Sequence, residues 1–179
     1  SSTIDPNLTR EVITGVRQLR NDGHDVGLVV ATKSIAYLER GDDPFVSHVA
    51  TYYHSHRIVK DLSEHTDDVI KLSIYDFREA SEATYPTMQR TAPEHQVILA
   101  TPNWVDIMNP GVNKGSAVEA VQRDLGVTAD QTAIFGDFLN DLEMMPMAKW
   151  SFAMANGHPN IVKASNYVAP PNTENGVIT

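Results

Sequence analysis

IFGDFLNDLEMM, residues 134–145, places Asp137, Asn140, Asp141 and Glu143 directly after a short apolar run. Such a run reads as a buried strand whose last residues emerge at a sheet edge, where polar groups gather. Upstream, NKGSAVEAVQRDLGVTADQTAIFGD (113–137) puts Ala117, Val118, Val121 and Leu125 on one helical face, with Gly126 as a natural stop. Thr128 and Gln131 have capping-box spacing, which predicts a helical turn before the strand. Downstream, WSFAMAN (150–156) and NYVAPP (166–171) read as two further short strands.

The beginning of the chain repeats this alternation. In IDPNLTREVITGVRQLRNDGHDVGLVVAT (4–32), Asp5 is an N-cap, Pro6 opens a helix, and Val12, Val16 and Leu19 share one face before Gly23 ends it. The apolar stretch DVGLVVAT then reads as a strand covered on both faces. Alternating helix and strand predict an α/β fold with a three-layer, Rossmann-like parallel sheet, whose ligands bind beyond the carboxyl ends of the strands. Thr32 and Asp137 both stand at such ends. The middle reads differently: SHVATYYHSHRIVKD (47–61), DDVIKLSIYD (67–76) and HQVILATPNWVDIMNP (95–110) are strand-like, and FREASEATYPTMQRTAP (77–93) is helical. The expected organisation is therefore a discontinuous core, 1–40 with 113–179, and an inserted α+β cap domain, 41–112.

Bulk properties narrow the classes. The chain has 179 residues, is 41% hydrophobic and carries a net charge of −9, enough apolar content for a real core and the wrong sign for gripping a nucleic-acid backbone. No apolar run reaches membrane-spanning length, so no membrane partner is expected. The absence of cysteine excludes disulfides and thiolate metal sites and points to a cytoplasmic protein. The composition does not set an oligomeric state.

GDFLNDLEMM, with the NPGVNKGSAVEAV helix before it, resembles the Gly-Asp-x-x-Asn-Asp signature and the lysine-glycine helix of the haloacid dehalogenase (HAD) superfamily. More narrowly, it looks like the Cof-type phosphatases with a type IIB cap. AMANGHPNIVKASNYVAPPNTENGV (153–177) is similar to the segment that closes such a core. The resemblance implies a Mg²⁺-dependent phosphatase that hydrolyses a small phosphorylated metabolite, such as a sugar phosphate, through an aspartyl-phosphate intermediate. It also implies roles: Lys114 as a catalytic and phosphate-binding lysine, Thr32 and Asn140 as phosphate ligands, and Asp137 and Asp141 as catalytic, metal-binding carboxylates.

The residue types suit that chemistry. Phosphoryl transfer asks a protein mainly to position groups and neutralise charge. Magnesium needs only one or two protein carboxylates beside the phosphate and its waters. Asp137, at the strand end, is the better direct ligand, and Asp141, one turn on, is better placed to hold a metal-bound water or to steady Lys114. Plainer readings stand beside these. Gly-Asp-x-x-Asn-Asp can be a solvated turn, Lys114 a surface lysine and Thr32 a turn residue. His48, His54 and His56 read as surface or hydrogen-bonded side chains, Met144, Met145, Met147 and Met154 as core, and the Asp42-Asp43 and Asp67-Asp68 pairs as turns or caps.

One expected element does not occur. The family nucleophile is the first aspartate of Asp-x-Asp-Gly-Thr, and no such pattern is present in these 179 residues. Asp5 is a cap, Asp76 ends a strand within the expected insert, and ATKS (31–34) has Lys33 and Ser34 where the resemblance implies glycine and arginine. Two explanations remain open: the nucleophile strand lies outside these residues, or the chain is a truncated or degenerate non-catalytic module that binds a phosphorylated ligand.

Overall fold

The computed structural model describes residues 3–178. Asp5 caps α1 (Pro6–Asn21) by accepting from the Asn7 amide at 2.6 Å, and Pro6 fills a first-turn position that needs no backbone donor. Leu8, Val12, Ile13, Val16 and Leu19 form its buried stripe. That stripe shares a core with Val26, Leu28, Val30, Leu72, Ile74, Val105 and Ile107. Each such side chain contributes about 1.5–3 kcal/mol by leaving water.

The sheet beneath α1 contains β1 (Val26–Thr32), β2 (Ala36–Leu38), β3 (His56–Ile58), β4 (Val69–Asp76), β5 (Gln96–Leu99) and β6 (Trp104–Met108), in the order β3-β2-β1-β4-β6-β5. Its pairs are antiparallel except β2 with β3. Two further helices, α2 (Asp43–Tyr52) and α3 (Thr84–Thr91), complete this part of the chain.

Two expectations are corrected here. Residues 1–40 do not join 113–179 in one core: β1 pairs antiparallel with β2 and β4, Val29 lying opposite Leu38 and Ser73, so the first forty residues build the same sheet as the expected insert. The chain divides into a unit of residues 1–110 and a unit of residues 111–179. The apolar run of β1 was a sound sign of two covered faces. It carries no information on the direction of the neighbouring strands. Val30 packs in the core under α1, while Val29 packs on the other face with Phe45 and Val49 of α2. Secondly, the strand-like stretch 47–61 begins inside α2. An acid in the first turn, Pro44, and Phe45 and Val49 spaced one turn apart outweigh the β-branched content, and only His56–Ile58 is strand.

Several charged side chains of the first unit pair with one another. Arg17 binds Glu39 and Asp61, and Arg40 binds Asp25 and Asp42. Hydrogen bonds from the Ser63 hydroxyl, Arg17 and the Ser63 amide hold the Asp61 carboxyl down at about 2. The hydrogen bond from Arg40 likewise lowers Asp42.

In the second unit, α4 (Lys114–Leu125) begins in a reciprocal Asn113–Ser116 capping box and ends at Gly126, with φ 66°. Strands β7 (Ala133–Gly136), β8 (Trp150–Met154) and β9 (Tyr167–Ala169) form a parallel sheet in that order, and α5 (Pro159–Ala164) connects the last two. Ile134 and Ala153 pack with Met145, Ala148 and Ile161, and Phe135, Phe152 and Tyr167 stack in a row across the three strands. This parallel β-α-β arrangement is the Rossmann-like element read from the sequence, and the fold class, α/β with an α+β unit, stands. Among the described residues no helix is long and apolar enough to cross a membrane.

Candidate active site

Three short segments of the second unit meet beyond the carboxyl end of β7. The first is the start of α4, where Lys114 is the first helical residue. A Cβ on Gly115 would collide with the carbonyl oxygen of Glu143, so glycine lets this helix end approach the segment after the acidic turn. The second is Asp137, directly after β7. The third is the 3-10 turn Leu139–Asp141, which folds back over the strand. That return passes close to Gly136, where an added Cβ would stand 2.9 Å from the Asp141 Cβ.

Asp141 organises the turn. It is only 4% exposed, and its Oδ2 accepts from the amides of Asp137 at 2.9 Å and Phe138 at 3.4 Å. Its Oδ1 accepts from Lys114 Nζ, pairing the buried carboxylate with a half-exposed ammonium. Asp137 is held differently. Its carbonyl oxygen accepts from the His158 amide at 2.7 Å and its Oδ2 from Asn172 Nδ2 at 2.9 Å. Its Oδ1 accepts no hydrogen bond from a described residue. Lys114, Asp137, Asp141 and Asn172 line an open cleft of about 260 Å³, with Phe135, Met144, Met154 and Val177 among its apolar walls.

The charges of this lining are informative. Two carboxylates face one ammonium, a net −1 that repels a phosphate. A divalent cation on the open Asp137 oxygen would turn the sum to +1 and make the cleft attractive to one. Among the described residues there is no cluster of three or more metal-ligating side chains. Magnesium does not need one, because it keeps several waters and takes one or two carboxylates beside a substrate phosphate. The donor set therefore fits Mg²⁺, which the open oxygen of Asp137 could hold. Both oxygens of Asp141 are already engaged, which fits that residue to a supporting position.

The structure thus brings Lys114, Asp137 and Asp141 together. Asn140 lies on the same turn but does not line the cleft. The premise for Thr32 is corrected: it belongs to the first unit and ends an antiparallel strand. Its hydroxyl donates to the Ile35 carbonyl at 2.9 Å and accepts from the Ile35 amide at 3.2 Å, closing the hairpin to β2. Thr32 lines a separate hollow of about 460 Å³ whose charged groups include Glu64, Asp67, Asp68 and Lys33, an acidic set unsuited to phosphate. Among the histidines, His48 stacks on Tyr75 and bonds its hydroxyl at 3.2 Å. His56 bonds the Tyr53 carbonyl at 2.9 Å. Met145 and Met154 are buried, as core methionines should be. Sequence reasoning missed Asn172 and the His158 amide. The only available signal was a polar residue directly after Pro170-Pro171, in a segment already marked as closing the core.

The sequence profile of the haloacid dehalogenase-like hydrolases matches residues 1–179. A curated relative, the 5-amino-6-(5-phospho-D-ribitylamino)uracil phosphatase of Escherichia coli K12, is 29% identical over 160 residues, covering 86% of this chain and 58% of that protein. A haloacid dehalogenase-like hydrolase from Bacteroides thetaiotaomicron superposes with a TM-score of 0.76 at 21% identity, over 99% of this chain and 66% of that one. A HAD subclass IIB sugar phosphatase gives 0.78 at 19% identity, over 99% and 65%. These two likenesses concern the fold. The chain spans less than two thirds of the length of each of these three proteins.

Proposed function

The chain belongs to the haloacid dehalogenase-like hydrolases, and from that membership we propose that it carries the cation- and phosphate-holding part of a Mg²⁺-dependent phosphatase acting on a small phosphorylated metabolite. The observation that carries this reading is the cleft in which Lys114 is paired to Asp141 while one oxygen of Asp137 remains open. Asp137 would hold Mg²⁺, which neutralises charge on the transferring phosphoryl group when bound. Lys114 supplies a fixed positive charge at a helix N-terminus, where backbone amides also favour anions. Asp141 keeps that ammonium aimed and ties the turn to the strand end.

In the reaction proposed, a carboxylate nucleophile outside these residues attacks phosphorus and the substrate alkoxide leaves, taking up a proton. Water then hydrolyses the acyl phosphate, returning the carboxylate and inorganic phosphate. These residues lower the barrier by electrostatic stabilisation rather than by covalent chemistry. The ribitylaminouracil phosphatase among the similar proteins supports a small phosphorylated metabolite as substrate.

The test has two readouts: calorimetric binding of inorganic phosphate with and without Mg²⁺, and phosphate release from p-nitrophenyl phosphate and a panel of sugar phosphates. Mg²⁺-dependent binding is the expected result. Release separates a phosphatase from a module that only holds its ligand. The absence of both Mg²⁺-dependent phosphate binding and phosphate release would sink the reading.

A further inference from the structure

Asp137 is fixed from three sides. Its amide donates to Asp141, its carbonyl oxygen accepts from the His158 amide, and its carboxylate is gripped at Oδ2 by Asn172. The first two bonds set the backbone. The third sets the side chain and decides which carboxylate oxygen stays open.

Asn172 is itself oriented. Its side-chain oxygen accepts from Asn156 Nδ2 at 2.9 Å, and its backbone amide donates to Asn156 Oδ1 at 3.2 Å. A side-chain amide is ambiguous by half a turn, because either its oxygen or its nitrogen can face a given neighbour. Asn156 removes that ambiguity. By donating to the Asn172 oxygen it leaves the NH₂ group to face Asp137, where an oxygen would repel the carboxylate.

We propose that Asn172, locked by Asn156, is a positioning residue that orients the Asp137 carboxylate so that Oδ1 is presented to the cation. The proposal rests on the phosphatase reading above and adds to it the partner that tunes its metal ligand. Such outer partners commonly govern metal affinity by restricting the ligand to one productive orientation. Both asparagines are exposed, so their hydrogen bonds add little to folding. Their effect falls on the carboxylate they hold.

Calorimetric titration of Mg²⁺ into the wild-type chain, Asn172→Ala, Asn156→Ala and the double variant tests this, with thermal unfolding of each in chelator. Asn172→Ala should weaken Mg²⁺ binding about tenfold. Asn156→Ala should weaken it less, the double variant should be no weaker than Asn172→Ala, and the metal-free unfolding temperatures should agree. Wild-type affinity in Asn172→Ala overturns the proposal and leaves the phosphatase reading standing. Additive losses in the double variant also overturn it, because Asn156 would then act by another route. So does a lowered unfolding temperature with affinity intact, the mark of a purely structural contact. Failure of the wild-type chain to bind Mg²⁺ removes the cation site itself, and the proposal with it.

Discussion

Strands β1 and β7 begin from the same pattern, an apolar run that ends in a polar residue, and reach opposite ends. Thr32, after the apolar run of β1, closes its own hairpin with its hydroxyl and lies in a hollow among acids. Asp137, after β7, keeps one carboxylate oxygen open in a cleft where Lys114 and Asp141 converge. The surroundings decide the difference. An antiparallel neighbour reached through a three-residue turn (33–35) brings the chain straight back, so the strand-end residue serves the turn. A parallel neighbour needs a longer connection, and residues 137–149 return over the strand end and bring the acidic turn with them. A polar residue at the end of a buried strand is therefore a site candidate chiefly where its sheet is parallel.

This contrast can be broken at several points. The largest effect is expected from Asp141→Ala, which strips two backbone amides and Lys114 of their partner. Losing a buried acceptor of this kind costs about 1–3 kcal/mol. Urea unfolding should show that loss together with weaker phosphate binding, and an unchanged midpoint would show that the turn holds without Asp141. Thr32→Val should cost about 1 kcal/mol through the lost turn bonds and leave Mg²⁺-dependent phosphate binding untouched. A clear loss of phosphate affinity in that variant would erase the distinction between the two strand ends.

The smallest effect concerns acid. Asp61 is held at about 2 by Ser63 and Arg17, against an ordinary value of 3.8. A depressed carboxyl contributes stability above 3.8 and loses it as pH falls toward 2. The Asp61 side chain is partly exposed, so the effect is modest. Unfolding temperatures of wild type and Asp61→Asn should differ near neutrality and converge by about pH 2. Parallel curves throughout would remove Asp61 from the acid response.

How far the sequence was legible follows the range of the interactions. The Asp5–Pro6 start of α1, the stop of α4 at Gly126, the Thr128–Gln131 turn and the apolar runs of β1 and β7 are local, and local chemistry determined them. Strand direction is not local: nothing within 26–32 states that its partners run antiparallel, and the division between units was misplaced for that reason. Lys114 and Asp141 stand 27 positions apart and were paired through a family resemblance. Asp137 and Asn172 are 35 positions apart with no motif joining them, so their contact became visible only in the folded chain.

The central claim is that the open oxygen of Asp137 makes the cleft a cation site and thereby a phosphate site. Calorimetric titration of Mg²⁺, in the presence of inorganic phosphate, into the wild-type chain and Asp137→Asn tests it most directly. The account predicts a saturable Mg²⁺ isotherm for the wild type and no measurable binding for Asp137→Asn, with both proteins unfolding at the same temperature when metal-free. Equal Mg²⁺ affinity in the two proteins would contradict it.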